Sequence, residues 1–207
     1  MRYEAVLFDW DGVVTNSAGI KTEAYARMFA PLGQSVLEKV LAAEKNGGGI
    51  SRVEKLRRYY NDFAGQQLSE EELAAKVEIF TQIVRQKIYE APLMPEVLQT
   101  LENLQQMQVP AFVVSGAPRE EVADVAEKRG LSCFFREICG SPPKKNVLIA
   151  KILEQYGYQP ERVLLFGDGL ADWKAAKENG INFIGIIGKE NIFPPEVHVC
   201  QSVRLPD

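Results

Sequence analysis

Positive charge is not in excess here, and cysteine and histidine are scarce. The 207-residue chain carries 24 Lys and Arg against 28 Asp and Glu, a formal net charge of −4. It therefore lacks the broad basic field that draws nucleic acid or anionic membrane. If it handles phosphates, local cations must do the work. Its three cysteines, Cys133, Cys139 and Cys200, are odd in number and lack metal-ligand spacing, which excludes a disulfide framework. They are expected to be reduced core residues of a cytoplasmic protein. The single histidine, His198, lies far from every motif and is expected to be structural or exposed. No apolar run is long enough to span a bilayer, and no signal-peptide pattern precedes the first apolar segment. Internal repeats and low-complexity tracts are absent as well. What remains is an ordinary globular composition, 46% hydrophobic and 25% charged, in a chain long enough for one large domain or a main domain with an insert.

Four short apolar runs, Ala5 to Phe8, Ala111 to Val114, Val163 to Phe166 and Phe183 to Ile187, alternate with segments of helical period. Val97, Leu101, Leu104 and Met107 share one face of a helix that starts after Pro95. Val122, Val125 and Ala126 mark a second between Pro118 and Gly130. Leu148, Ile152 and Tyr156 mark a third stopped by Gly157, and Ala171 to Asn179 a fourth stopped by Gly180. Apolar strands separated by helices predict an α/β fold with a parallel sheet covered on both faces. A weaker final strand is expected over Val197 to Val203. The stretch from Ser17 to Glu90 breaks the rhythm, because it shows no strand and its apolar residues recur at helical spacing, as in Phe80, Val84, Lys87 and Ile88. Ser51 with Glu54, and Ser69 with Glu72, have the spacing of capping boxes. Gly47-Gly48-Gly49 reads as a flexible joint or a loop that approaches substrate. Residues 1–16 and 91–207 are thus expected to form an α/β core, and 17–90 an α-helical insert.

In open parallel sheets, ligands gather at the carboxyl ends of the strands. The first strand ends in Asp9-Trp10-Asp11-Gly12, and alternation points both carboxylates off one side. Like charges that close are costly unless a cation or a shared proton offsets them. The second strand ends in Ser115-Gly116. The run after Val163 ends in Gly167-Asp168-Gly169, and Asp172 follows one turn into its helix. Lys144 and Lys145 follow Gly140-Ser141-Pro142-Pro143. Hard carboxylate oxygens with room for water suit Mg²⁺ together with a substrate phosphate. A metal lets a carboxylate approach an anionic phosphate as nucleophile, while a lysine, a serine and glycine-turn amides hold the phosphoryl oxygens. A second aspartate can protonate the leaving oxygen and later activate water.

Phe8-Asp9-Trp10-Asp11-Gly12-Val13, Val113-Val114-Ser115-Gly116, Lys145 and Gly167-Asp168-Gly169-Leu170-Ala171-Asp172 stand in the order of the four motifs of the haloacid dehalogenase-like superfamily, which the whole chain resembles. The resemblance implies a Rossmann-like core, Asp9 as the nucleophile that forms an aspartyl-phosphate, and Asp11 as general acid/base. It implies phosphate binding by Ser115, Gly116 and Lys145. It also implies Mg²⁺ held by Asp9, Asp168, Asp172 and the Asp11 backbone carbonyl. The helical insert stands where that superfamily places a cap, and is similar to the caps of the phosphoglycolate phosphatase and β-phosphoglucomutase group. Gly49-Ile50-Ser51-Arg52 resembles the stretch in which β-phosphoglucomutase uses an arginine to hold a distal phosphate. This makes Arg52, with Lys55 beside it, the candidate for substrate selection. Lys21 stands near the place of a mutase histidine, a departure that disfavours the mutase.

Blander readings stand beside these. The four aspartates could be loop and N-cap acids, and the helix dipole favours Asp172 in any case. Ser115 could cap the following helix. Arg52 and Lys55 could be a solvated face, and Trp10 could merely pack beside the site. Lys145 is favoured over Lys144 by its spacing from Gly140-Ser141-Pro142. The expected activity is a Mg²⁺-dependent phosphatase acting on a small phosphorylated metabolite, a sugar phosphate or an organic acid phosphate. A sugar phosphomutase is the alternative. A dehalogenase has little need for Asp11 or metal, and a non-catalytic regulatory protein has no support because no catalytic carboxylate is missing. The expected form is a monomer or homodimer with no nucleic-acid or membrane partner.

Overall fold

The computed structural model describes residues 3–46, 50–188 and 190–206. The Gly47-Gly48-Gly49 expectation lies outside the described residues. At the centre is a parallel sheet of six strands in the order β3-β2-β1-β4-β5-β6. The strands are β1 (Ala5–Phe8), β2 (Ala111–Pro118), β3 (Phe135–Ser141), β4 (Val163–Gly167), β5 (Asn182–Ile186) and β6 (Val199–Cys200). Four helices precede β2 in the insert: α1 (Ala18–Phe29), α2 (Gln34–Asn46), α3 (Arg52–Arg58) and α4 (Glu70–Glu90). The connecting helices are α5 (Val97–Gln106), α6 (Arg119–Lys128), α7 (Lys145–Tyr156) and α8 (Leu170–Glu178).

The period-2 alternation of β1 sends Val6 and Phe8 to one face of the sheet and Ala5 and Leu7 to the other, and all four are fully buried. On the first face Val97, Leu101, Val122, Val125 and Ala126 of α5 and α6 pack over Phe8 and Phe166. On the second, Leu148, Ile149 and Ile152 of α7 and Ala175 and Ala176 of α8 cover Leu7, Phe112 and Leu165. Burying each Val, Leu, Ile or Phe side chain among these contributes about 1.5–3 kcal/mol.

Among the described residues, the insert contains helix and no strand. It has an aromatic centre, with Tyr25 against Phe80 at 4.4 Å and Phe29 against Tyr60 at 4.7 Å. The Ser69–Glu72 capping box is complete in both directions. At the start of α3, Ser51 accepts from the Glu54 N–H, and the Glu54 carboxylate receives the Ser51 hydroxyl. Lys87 is exposed and faces Glu23, so only Phe80, Val84 and Ile88 of that quartet form the buried stripe.

Several expectations need correction. The strand β3 has no clean apolar signature, because at the sheet edge Arg136 is exposed and Glu137 only half-buried. Met107 follows the last turn of α5 and is 43% exposed, so the apolar stripe ends at Leu104. The final strand shrinks to Val199–Cys200. Of the cysteines only Cys139 is in the core, since Cys133 is exposed and Cys200 half-buried. His198 is exposed.

Candidate active site

The last regular residue of β1 is Phe8, and Asp9 continues only through its N–H to the Phe166 carbonyl of β4, at 2.9 Å. The chain then turns tightly. Val14 and Thr15 both donate to the Trp10 carbonyl, and Gly12 donates to Thr15 at 2.7 Å. Asp9 and Asp11 are therefore separated by a turn, and simple strand alternation does not set their directions. Gly12 sits at φ 81, where a Cβ would lie 2.1 Å from an Asp168 carboxylate oxygen. Only glycine lets this turn close over Asp168.

At the end of β4, Gly167 allows the start of α8 to approach, since a Cβ there would meet Asp172 at 2.4 Å. Asp172 is fully buried and accepts the Gly169 N–H at 3.0 Å. Lys145, the first residue of α7, extends inward with its side chain 3% exposed. Its Nζ reaches Asp9 at 2.8 Å and also bonds Asp172. Lys144 points away, 73% exposed, toward Glu54 of α3. The structure thus brings Lys145, and not its neighbour, to the aspartates.

Carboxylate oxygens of Asp9, Asp168 and Asp172 all lie within 4.8 Å of one another. Burial pushes the Asp9 carboxyl up to about 7; Lys145 opposes this, while Asp172 and Asp11 add to it. Asp168 is pushed well above the ordinary range, first by burial and then by Asp9 and Asp172. Lys145 is held protonated despite its burial by Asp172 and Asp9. Asp9 and Asp172 are buried and Asp168 half-buried, and with one ammonium among the three carboxyls Asp9 and Asp168 are driven toward protonated forms whose protons a cation would displace. A hard divalent cation fits this all-oxygen donor set.

The Asp11 side chain is outside that group. It accepts from Ser17 and Lys21, each at 2.5 Å. Burial works against its ionisation, but Lys21 and Ser17 outweigh burial and hold its carboxyl below the usual value. Of Asp11, only the backbone carbonyl is left for a metal role. Ser115 is buried, and its hydroxyl accepts the Ala117 N–H at 3.1 Å; it does not cap α6, whose first turn has no side-chain cap. Trp10 is buried edge-on to Phe135.

Above the aspartates lies a cavity of ≈ 120 Å³ whose walls include Asp9, Asp11, Asp168 and Gly116 from the sheet side, and Lys21, Glu44, Arg52 and Lys55 from the helical insert. Arg52 and Lys55 are not a solvated face. Arg52 is 6% exposed, lies over Phe80 at 4.6 Å, and pairs with Glu121 of α6 at 2.6 Å. Lys55 pairs with Glu44 at 2.9 Å. Sequence reasoning missed Glu44 and Glu121. Glu121 reads as a dipole-favoured acid in a first helical turn, and Glu44 as one more surface acid of α2, so neither carried a local signal.

A family model of haloacid dehalogenase-like hydrolases matches residues 3–180. The chain is 27% identical over 191 residues to validoxylamine A 7'-phosphate phosphatase of Streptomyces hygroscopicus subsp. limoneus, covering 89% of this chain and 85% of that protein. It is 26% identical over 187 residues to phosphoglycolate phosphatase of Vibrio vulnificus strain CMCP6, covering 87% and 82%. Among solved structures, β-phosphoglucomutase from Clostridium difficile superposes with a TM-score of 0.78 at 20% identity, covering 97% of this chain and 91% of that one. That last likeness speaks to the fold.

Proposed function

We propose, from the premise that the chain belongs to the haloacid dehalogenase-like hydrolases, that it is a Mg²⁺-dependent phosphatase of a small phosphorylated metabolite, a sugar phosphate or an organic acid phosphate. The observation that carries this reading is the close group of Asp9, Asp168 and Asp172 with Lys145 between Asp9 and Asp172, under a cavity walled on its other side by the helical insert. Residues 1–16 and 91–207 serve as the catalytic core, and 17–90 as its cap. The phosphatase names of two relatives agree with the chemistry.

In this reading an Asp9 carboxylate oxygen attacks phosphorus as the ester P–O bond breaks, forming an aspartyl-phosphate. Asp11 gives a proton to the leaving oxygen. Asp11 then takes a proton from a water that attacks phosphorus, which frees inorganic phosphate and restores Asp9. Lys21 and Ser17 favour the ionised Asp11 needed in the second half. The first half needs the protonated form, so seating of substrate must loosen the Lys21 contact. Lys145, Ser115 and the amide of Gly116 hold phosphoryl oxygens; the Ser115 hydroxyl accepts from Ala117 and keeps its own O–H to donate. A divalent cation bound by Asp9, Asp168, Asp172 and the Asp11 carbonyl supplies neutralisation of the converging negative charge. Arg52 and Lys55 contact the remainder of the substrate.

The test is a phosphate-release screen over sugar, nucleotide and acid phosphates, with and without Mg²⁺, on wild type and Asp9→Asn. Turnover by wild type with Mg²⁺, abolished in Asp9→Asn, is expected. Equal release by both proteins removes the enzymatic reading, and an isomerised sugar phosphate in place of free phosphate turns it to the mutase.

A further inference from the structure

We infer that the cap side of the cavity selects an uncharged, polyhydroxylated leaving group over one that bears a carboxylate, and that Glu121 enforces the choice by occupying Arg52. The inference rests on the phosphatase reading above and narrows it.

The argument is the pairing of charge around the cavity. Three cations face it from buried or half-buried positions, and each is already met by an acid. Arg52 is paired with Glu121 at 2.6 Å and also donates to the Thr81 hydroxyl at 2.7 Å. Lys55 is paired with Glu44, whose side chain is 3% exposed. Lys21 lies against Asp11 and, at 3.5 Å, against the same Glu121. Glu121 stands behind the cavity wall, neutralises Arg52 from the core side and also lies within reach of Lys21. Of the remaining lining cations, Lys45 is an exposed residue.

Among the described residues, a carboxylate seated on the cap side would meet Glu44 and Asp11 with only the solvent-exposed Lys45 to offset it, or would have to displace Glu121 from Arg52. Either course is costly where water is excluded, because a buried charge that loses its partner keeps its full desolvation penalty. A hydroxyl faces no such conflict. It accepts from the Lys55 ammonium and donates to a Glu44 oxygen, and neighbouring hydroxyls repeat that pattern against the Thr22 hydroxyl. The wall therefore offers both donors and acceptors with little net charge, which is what a sugar or polyol presents in return. Arg52 then acts through its amino groups as an oriented donor, held over the Phe80 ring, rather than as a site for a second anion.

The experiment measures kcat/KM of the full chain for sorbitol 6-phosphate and glucose 6-phosphate against 2-phosphoglycolate and 3-phosphoglycerate, with p-nitrophenyl phosphate as a reference. Wild type is expected to favour the sugar and polyol esters by about tenfold or more, the factor that ~1.4 kcal/mol of uncompensated charge produces. Glu121→Gln keeps the shape but frees Arg52, and is expected to shrink the preference about tenfold by raising activity on 2-phosphoglycolate. A fold defect would lower all substrates together and leave the ratio alone. Preference of wild type for 2-phosphoglycolate overturns the inference, as does an unchanged ratio in a Glu121→Gln protein that melts normally. If Glu121→Gln does not fold, the wild-type ratio decides by itself. Should wild type release phosphate from none of these esters, the p-nitrophenyl ester included, the phosphatase reading is what fails.

Discussion

Replacing Lys145 with methionine should separate the electrostatics of the aspartate group from its packing. Methionine keeps an unbranched apolar stem in the space that the lysine stem now fills, so little volume is lost. What disappears is the ammonium 2.8 Å from Asp9, in a pair whose side chains are 3% and 4% exposed, together with its contact to fully buried Asp172. Removing one partner of a buried ion pair costs about 3–5 kcal/mol, since the other charge stays buried without compensation. For a chain of this size each kcal/mol moves the melting temperature by about 2–4 °C, so a drop of roughly 10 °C is expected in the presence of a chelator. Saturating divalent cation should recover more of the melting temperature in Lys145→Met than in wild type, because the cation then compensates carboxylates that nothing else does. Lys144→Met is the control: its side chain is 73% exposed and its partner Glu54 is 42% exposed, so a melting temperature close to that of wild type is expected. Scanning calorimetry with and without chelator reads all of these. A chelated Lys145→Met protein that melts within about 3 °C of wild type would falsify the assignment of Lys145 as the buried counter-charge.

Two further outcomes follow from the same group. In chelator, stability should rise as the pH falls from 8 toward 5, because Asp9, at about 7 in the folded chain against 3.8 unfolded, holds a proton that the unfolded chain has released between those values. Asp168, also raised, acts in the same sense. Asp11 acts oppositely, since its lowered carboxyl stabilises above 3.8 and loses this only at more acid pH, outside the window. Excess divalent cation should flatten the slope; melting temperatures that climb with pH in chelator contradict the reasoning. Gly12→Ala should weaken cation binding in a calorimetric titration, because its Cβ would fall 2.1 Å from an Asp168 oxygen at a φ of 81. The left-handed strain adds about 1–2 kcal/mol of destabilisation, and an unchanged affinity would mean that Asp168 is not a ligand.

Much of the fold was legible locally. Ala5–Phe8 and Val163–Gly167 are central strands buried on both faces, so their apolar runs are unbroken. Pro95, Gly157 and Gly180 mark helix ends because their backbones cannot serve otherwise. The strand Phe135–Ser141 was illegible for the converse reason, as an edge strand tolerates Arg136 and Glu137, which meet Tyr156 of α7. In the site, the motif aspartates could be read because they sit at or just past the ends of regular elements, whereas spacing only favoured Lys145 over Lys144. Glu44 and Glu121 could not, because an acid on a helix looks the same whether it meets solvent or a cation from another part of the chain.

By itself, then, the sequence determined an α/β sheet with a helical insert and a candidate set of site residues. These depend on periodicity, on turn chemistry and on the order of short motifs, all of which are local along the chain. Only the tertiary structure decided that Lys145 rather than Lys144 turns inward, that Asp11 is held by Lys21 apart from the other three carboxylates, and that Arg52 is already paired with Glu121. Each of those is a pairing of charges from different elements. Glu121 and Arg52 are 69 positions apart, and whether their charges cancel depends on how the insert seats on the sheet.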